Sequence, residues 1–227
     1  MPFEDYFERT TKFLRKLKRN NDRDWFEEHR EEYERDVLEP TKALTLALGE
    51  ELRAFAPNVH AIPKVDKSIF RIHRDTRFSE DKSPYKTHVG VFFWEGKRRK
   101  MECSGFYLHV ESDTTFFAAG AHILSRDLLP RYRKAVADDE RGEKLRGVIK
   151  SIEKKGATVG GEHYKRVPRG FDPDSPRADL LKYNGLWASF GEERVKDLLG
   201  ADVVKEAAKR FKKLEPLHRW LVETLEG

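Results

Sequence analysis

The spacing of apolar residues changes once along this chain, and that change restricts the folds open to it. Phe3, Phe7, Thr10, Phe13, Leu14 and Leu17 recur at steps of three and four, one stripe of a helix. "RNND" at 19–22 interrupts the stripe, and Asn21 followed by Asp24 reads as the start of a second helix. Trp25, Phe26, His29, Tyr33 and Val37 continue the inner face. Pro40 opens a third helix whose inner side is Leu44, Leu48, Leu52 and Phe55. After Ala56-Pro57-Asn58 the period drops to two. "SIFRIHR" predicts a strand over 68–74, "THVGVFFWEGKRRKMECSGFYLHVES" predicts two strands around a turn near Gly96, and "TTFFAAGAHI" predicts another.

Short connections between these strands imply an antiparallel, meandering sheet. Helices are predicted at about 126–138 and 140–155, then a loop "VGGEHYKRVPRGFDPDSP" and a short helix at 176–183. The last stripe runs Val204, Ala207, Ala208, Phe211, Leu214, Leu217, Leu221 and Leu225, with Pro216 as a break or kink. The expectation is one α+β domain over residues 1–227: 1–57 helical, 64–123 mainly strands, 126–227 mainly helical. No run of about 18 apolar residues exists, so no membrane partner is expected. The acidic start "MPFEDYFERT" lacks a signal-peptide pattern, and the single Cys103 suits a reducing cytoplasm.

Charge is the next constraint. The chain carries 45 Lys and Arg against 40 Asp and Glu. Residues 71–100 hold nine of those cations (Arg71, Arg74, Arg77, Lys82, Lys86, Lys97, Arg98, Arg99 and Lys100) and four of the acids (Asp75, Glu80, Asp81 and Glu95). That window therefore accounts for the whole excess of +5, and 36 of each sign remain elsewhere. A local anion site is the better inference than a generally basic protein.

Within "RIHRDTRFSEDKSPYKTH", a strand, a loop and a returning strand carry cations on both limbs. Arginine presents a planar fork that matches phosphate or carboxylate. The expected ligand-binding group is Arg71, Arg74 and Arg77, with Lys82 and Lys86 adding charge and Asp81 and Tyr85 orienting or donating. The opposing reading is an ordinary structural network, in which Asp75 and Asp81 pair with the arginines.

"NNDRDWFEEHREEYERDVLEP", "FRIHRDTRFSEDKSPYKTH", "GFYLHVE…FFAAGAHIL" and "YKRVPRGFDPDSPRADLLKYNG" resemble, in order, the motifs of domain-of-unknown-function family 2461. The pattern R-D-x-R-F-x-x-D-K-x-P-Y-K-T is met by Arg74 to Thr87. The chain departs from the family after the glycine of "AAGAHIL", where relatives usually carry a proline-containing loop and here Leu124-Ser125-Arg126 follows. The resemblance implies membership among uncharacterised bacterial and fungal proteins and supplies no mechanism.

Other motifs divide between readings. "KRRK" at 97–100 is a solvated hairpin tip or a nucleic acid backbone contact. Tyr164, Lys165, Arg166 and Arg169 sit in a glycine-containing loop that could close over a ligand held by Arg71, Arg74 and Arg77, or be a stiff surface connection. His73, His88, His109 and His122 fall on predicted strands. Tyr107 and His109 share one face, opposite the core row Phe106, Leu108 and Val110. No H-x-H, H-E-x-x-H or C-x-x-C pair exists, so no metal ligand is assigned, and no nucleotide or nucleophile motif names a cofactor.

The sequence thus points to an anionic small molecule, phosphate- or carboxylate-bearing, in an Arg/Lys-lined cleft. Asp75 and His109 are the candidate bases should the protein be a hydrolase or transferase. Tyr107, Arg166 and Arg169 complete the binding set. A nucleic acid-binding surface over 71–100 and a purely structural Arg/Asp network are the alternatives.

Overall fold

A computed structural model describes residues 5–199 and 202–226. The N-terminal part is α1 (Tyr6–Arg19), α2 (Arg23–Glu28), α3 (Arg30–Tyr33), a π-helical turn at Glu34–Leu38 and α4 (Glu39–Arg53). The predicted stripe of α1 is inside: Phe7, Thr10, Phe13, Leu14 and Leu17 are buried; Phe3 lies outside the described residues. The cap of α2 is Asp22, whose carboxylate accepts from the Trp25 amide. Asn21 has another task, described below. Pro40 lies in the first turn of α4, as the sequence predicts, and the chain enters that helix directly from the π-turn.

Six strands form one antiparallel path, β1 (Val59–His60), β2 (Val89–Glu95), β3 (Ser104–Val110), β4 (Thr114–Ala121), β6 (Tyr183–Ser189) and β5 (Thr158–Glu162), and β7 (Glu193–Arg194) pairs with the start of β4. The β2-β3-β4 meander is the one the alternating pattern predicts. Helices α5 (Leu128–Ala137), α6 (Asp139–Glu153) and α7 (Val203–Glu226) complete the α+β fold. Proline 216 lies inside α7. Phe211 of α7 packs its ring against Phe93, Phe106 and Phe117, one from each meander strand. No helix among the described residues is long and apolar enough to cross a membrane.

Three predicted elements differ. Residues 68–74 are not a strand. Phe70 donates its amide to the Gly90 carbonyl and Phe92 donates to Ser68, but the chain then bends, and Ile69 and Ile72 are both buried three positions apart. The predicted helix at 176–183 is a 3-10 turn, Leu180–Lys182, leading directly into β6. The supposed loop from Val159 holds β5 instead. Its glycines mark a close approach: a Cβ on Gly160 would lie 2.6 Å from Trp187 Cε2, and Gly161 sits at φ +122° beside a register shift.

The sheet has two unlike faces. The core face carries Val91, Phe93, Phe106, Leu108, Val110, Phe117 and Ala119. The other carries Gly90, Phe92 and Trp94 on β2, Gly105, Tyr107 and His109 on β3, Phe116, Ala118 and Gly120 on β4, and Trp187 and Ser189 on β6. Phe92, Trp94 and Cys103 form a second small apolar cluster there, with Phe70 and Tyr107 against it.

Candidate functional site

The basic segment folds as a long loop pinned at its base. Arg74 donates its amide to the Pro84 carbonyl, Lys86 donates to Ile72, and His73 bridges Tyr85. Asn21 holds the returning limb, accepting from the Tyr85 amide and donating to its carbonyl. The Tyr85 ring is buried and stacked on Phe26, 4.1 Å between centroids, so it packs rather than reaching into solvent.

The arginines of this loop do not converge. Arg77 is spent on Asp75, with Nε and Nη2 donating to its two carboxylate oxygens at 2.9 and 2.7 Å. That fork holds the Asp75 carboxyl well below the usual range, making it a poor proton acceptor and removing the reason to assign it as a base. Arg74 Nη1 lies 2.7 Å from Asp81, whose carboxyl is lowered first by Ser83 and then by Arg74. Lys82 donates to the Thr76 carbonyl. Arg71 is exposed. Arg74 and Lys82 do line a cleft of about 800 Å³ with Arg23, but Asp22, Asp24 and Glu27 line it too, so three cations face three acids.

Arg166 and Arg169 are exposed in the loop after β5. The sheet order places β5 at the edge away from β2, and the register puts that loop at the end where β2 finishes, opposite the end from which the 71–86 loop emerges. The expected closure over Arg71, Arg74 and Arg77 is therefore a correction: the two loops lie at opposite corners of the sheet.

Lys86 has a different neighbourhood. It leaves the loop toward the non-core face, donates to the Arg71 carbonyl, and sets Nζ 5.7 Å from the centre of the Phe70 ring. Lys100, from the 97–100 tip, comes to the same ring at 4.4 Å and donates to the Lys67 carbonyl. The two basic groups thus meet at Phe70. Burial first, then the Arg71 charge, lowers the Lys86 pKa; burial also lowers that of Lys100, with Lys86 adding and Asp66 opposing. Neither ammonium has an ion-pair partner among the described residues. In the rest of the tip, Arg98 is bound to Asp127 at 2.7 Å.

Phe70 is one wall of an apolar groove of about 400 Å³ on the open sheet face. Phe92, Tyr107, Phe116 and Trp187 supply its aromatic lining, and Gly105, Ala118 and Gly120 its floor. The floor needs small residues: a Cβ on Gly105 would lie 2.6 Å from Phe92 Cζ. Met101 and His122, both exposed, stand at its rim.

A hydrogen-bonded chain runs from this groove along β3. The Tyr107 hydroxyl lies 3.0 Å from His109 Nδ1, and His109 Nε2 lies 3.1 Å from Glu111 Oε1. The ionised carboxylate only accepts, so Nε2 carries the proton, and Nδ1 accepts from the Tyr107 hydroxyl. Burial pushes Tyr107 up to about 12, which keeps it a neutral donor. The His109 ring stacks on Phe116 and lies 4.4 Å from that of His88. Burial, with His109 and Lys86 adding, holds His88 down at about 4. The ligand atoms of His88, His109 and Glu111 all fall within 4.8 Å of one another.

The sequence reading found Tyr107 and His109 and their shared face. It missed Glu111, the next member of the same alternation, and Lys100, which only the folded tip brings to Phe70. Trp187 was hidden by the missed strand β6.

The whole arrangement can be compared with known proteins. The model of a family of conserved hypothetical proteins, DUF2461, matches residues 9–220. The chain belongs to this family. No curated protein matches the chain. The match spans the loop at 71–86, the groove and the Tyr107–His109–Glu111 chain, so all of them lie in the family's part of the molecule. At Leu124-Ser125-Arg126, Leu124 is buried and donates its amide to the Asn184 carbonyl, tying the edge to the start of β6.

Proposed function

We propose that this DUF2461 protein binds a small anionic molecule with an apolar body. The body lies in the groove between Phe70, Phe92, Tyr107, Phe116 and Trp187, and the carboxylate or phosphate end sits between Lys86 and Lys100. The observation that carries this reading is the pair of ammonium groups, partly desolvated, near Asp66 but in no ion pair among the described residues, on the ring that walls an apolar groove. Burial already disfavours their charge, and an anion placed between them relieves that cost. Each charge-assisted hydrogen bond contributes about 1.5–3 kcal/mol. The larger cleft at Arg74 and Lys82 is a weaker candidate because its own acids balance its cations.

Should the bound acid be turned over by hydrolysis or group transfer, His109 is the proton-handling group. Glu111 fixes its tautomer and Tyr107 carries its reach to the groove. A nucleic acid surface fits less well, because Arg98 is engaged by Asp127 and Arg77 by Asp75.

The test is a thermal-shift screen of hydrophilic phosphates, nucleotides, and aromatic or aliphatic acids at two salt concentrations. A ligand present at 100 times its dissociation constant adds about 2.7 kcal/mol of stability. The reading expects shifts from acids with apolar bodies, little changed by salt. Shifts confined to hydrophilic phosphates or to oligonucleotides, steeply salt-dependent, contradict it.

A further inference from the structure

We propose that His88, His109 and Glu111 form a binding site for a divalent transition-metal ion of the zinc class. The register of the sheet creates the cluster. His109 pairs with Gly90 across β2 and β3, and Val89 pairs with Val110. His88, one residue before Val89, therefore faces Glu111, one residue after Val110. All three side chains leave the sheet on the non-core face, beside the groove.

The donor set is two imidazoles and one carboxylate. That set suits zinc and its neighbours, and three protein ligands leave a coordination position open. On a tetrahedral ion with bonds of about 2.1 Å, ligand atoms stand about 3.4 Å apart. His109 Nε2 and Glu111 Oε1, at 3.1 Å, are already at that spacing. All three ligand atoms lie within 4.8 Å of one another, so His88 has at most about 1.4 Å to close, within the reach of a rotamer adjustment.

The shell behind the ligands is also present. With Nε2 on the metal, the imidazole proton moves to Nδ1, and His109 then donates to the Tyr107 hydroxyl oxygen 3.0 Å away. This is the outer hydrogen bond that fixes the tautomer of a metal-bound histidine. The Phe116 ring stacked on His109 holds the imidazole plane. Lys86 and Arg74 lie close enough to His88 to oppose a cation, and Glu111 offsets one of those charges. Asp75 is bound to Arg77 and plays no part.

The test uses the full chain, stripped with a chelator and titrated calorimetrically with zinc chloride, and with cobalt(II) chloride read by visible absorption. One equivalent should bind in the micromolar range or tighter, and cobalt should give a low-coordinate d–d spectrum. Glu111→Gln and His88→Ala should each weaken binding at least 30-fold, whereas His163→Ala, an exposed histidine in the loop after β5, should not. Tyr107→Phe should weaken it about 10-fold. Circular dichroism of each metal-free variant reports folding, and Glu111→Gln, at a half-exposed side chain, keeps the test valid if His88→Ala fails to fold. No stoichiometric binding, or equal affinity in wild type and Glu111→Gln, overturns the proposal. Neither result bears on the organic anion, which the titration does not contain.

Discussion

Arg177 shows how far a single side chain's role can lie from its sequence context. In "FDPDSPRADLL" it is one cation among prolines and acids, yet it is 4% exposed. Its guanidinium donates to the Val136 and Ala137 carbonyls at the end of α5 and to Asp139 and Glu143 of α6. It therefore satisfies helix-end carbonyls and pins the α5–α6 corner. Arg177→Ala should lower unfolding free energy by about 1–3 kcal/mol in urea titration, because it leaves the Val136 and Ala137 carbonyls without their donor while the exposed Asp139 and Glu143 rehydrate. Arg77→Ala should leave the urea midpoint close to that of wild type, since its partner Asp75 lies on the same exposed loop. A large loss at Arg77 together with none at Arg177 would reverse this ranking of the arginines.

Elements meet through a few specific contacts, and one of these is sensitive to pH. Arg9 of α1 donates through Nε and Nη2 to Asp36 in the π-turn, and Arg35 adds a second fork. Arg35 first, then Arg9, hold the Asp36 carboxyl down at about 2. An unfolded aspartate titrates near 3.9, so the folded state binds this proton more weakly. The stabilisation is full above pH about 4 and is lost as pH falls toward 2. Both arginines are partly exposed, so about 1–2 kcal/mol is the expected size. Asp36→Asn should lower stability by that amount at pH 6 and by little at pH 2, measured by urea unfolding at both. An equal loss at both pH values would assign the effect to packing.

The same scale shows what the sequence could and could not convey. The β2-β3-β4 meander was legible because each strand alternates core and non-core residues, and α7 because its stripe holds for six turns. The 68–74 segment imitated a strand because Ile69, Arg71 and His73 alternate with Ser68, Phe70 and Ile72. It bends because only Phe70 and Ser68 find ladder partners on β2. Strands β5 and β6 were concealed by glycines that serve close approach rather than turns, Gly160 to the Trp187 ring, Gly161 to the Gly185 carbonyl and Gly185 to the His122 carbonyl. Site residues within one strand, Tyr107 and His109, could be found by period alone. Lys86 and Lys100 meet only because two distant loops fold onto one ring, and no local pattern records that. Conversely, the density of arginine in 71–77 suggested convergence, but the acids beside them consume it.

For the molecule as a whole, the unequal faces of the sheet are the central feature. Helices and the large core stabilise one face, which leaves the other available for an aromatic groove at modest cost. That separation makes a further prediction. Ala118 is half-buried on the groove floor between the Tyr107 and Ser189 pairings, so Ala118→Leu should occupy the groove without disturbing the core. Its unfolding midpoint should stay near wild type while ligand binding falls at least 10-fold. Loss of folding in Ala118→Leu would instead mean that the two faces are energetically coupled.

The most direct measurement is calorimetric titration of 2-naphthoate and its uncharged amide into the wild-type chain and the Lys86→Gln/Lys100→Gln double variant. The account predicts that the acid binds wild type at least 10-fold more tightly than the amide, about 1.4 kcal/mol, and that the double variant loses this preference while still binding the amide. Equal binding of acid and amide by wild type, or a preference for the acid that survives without the two lysines, would contradict it.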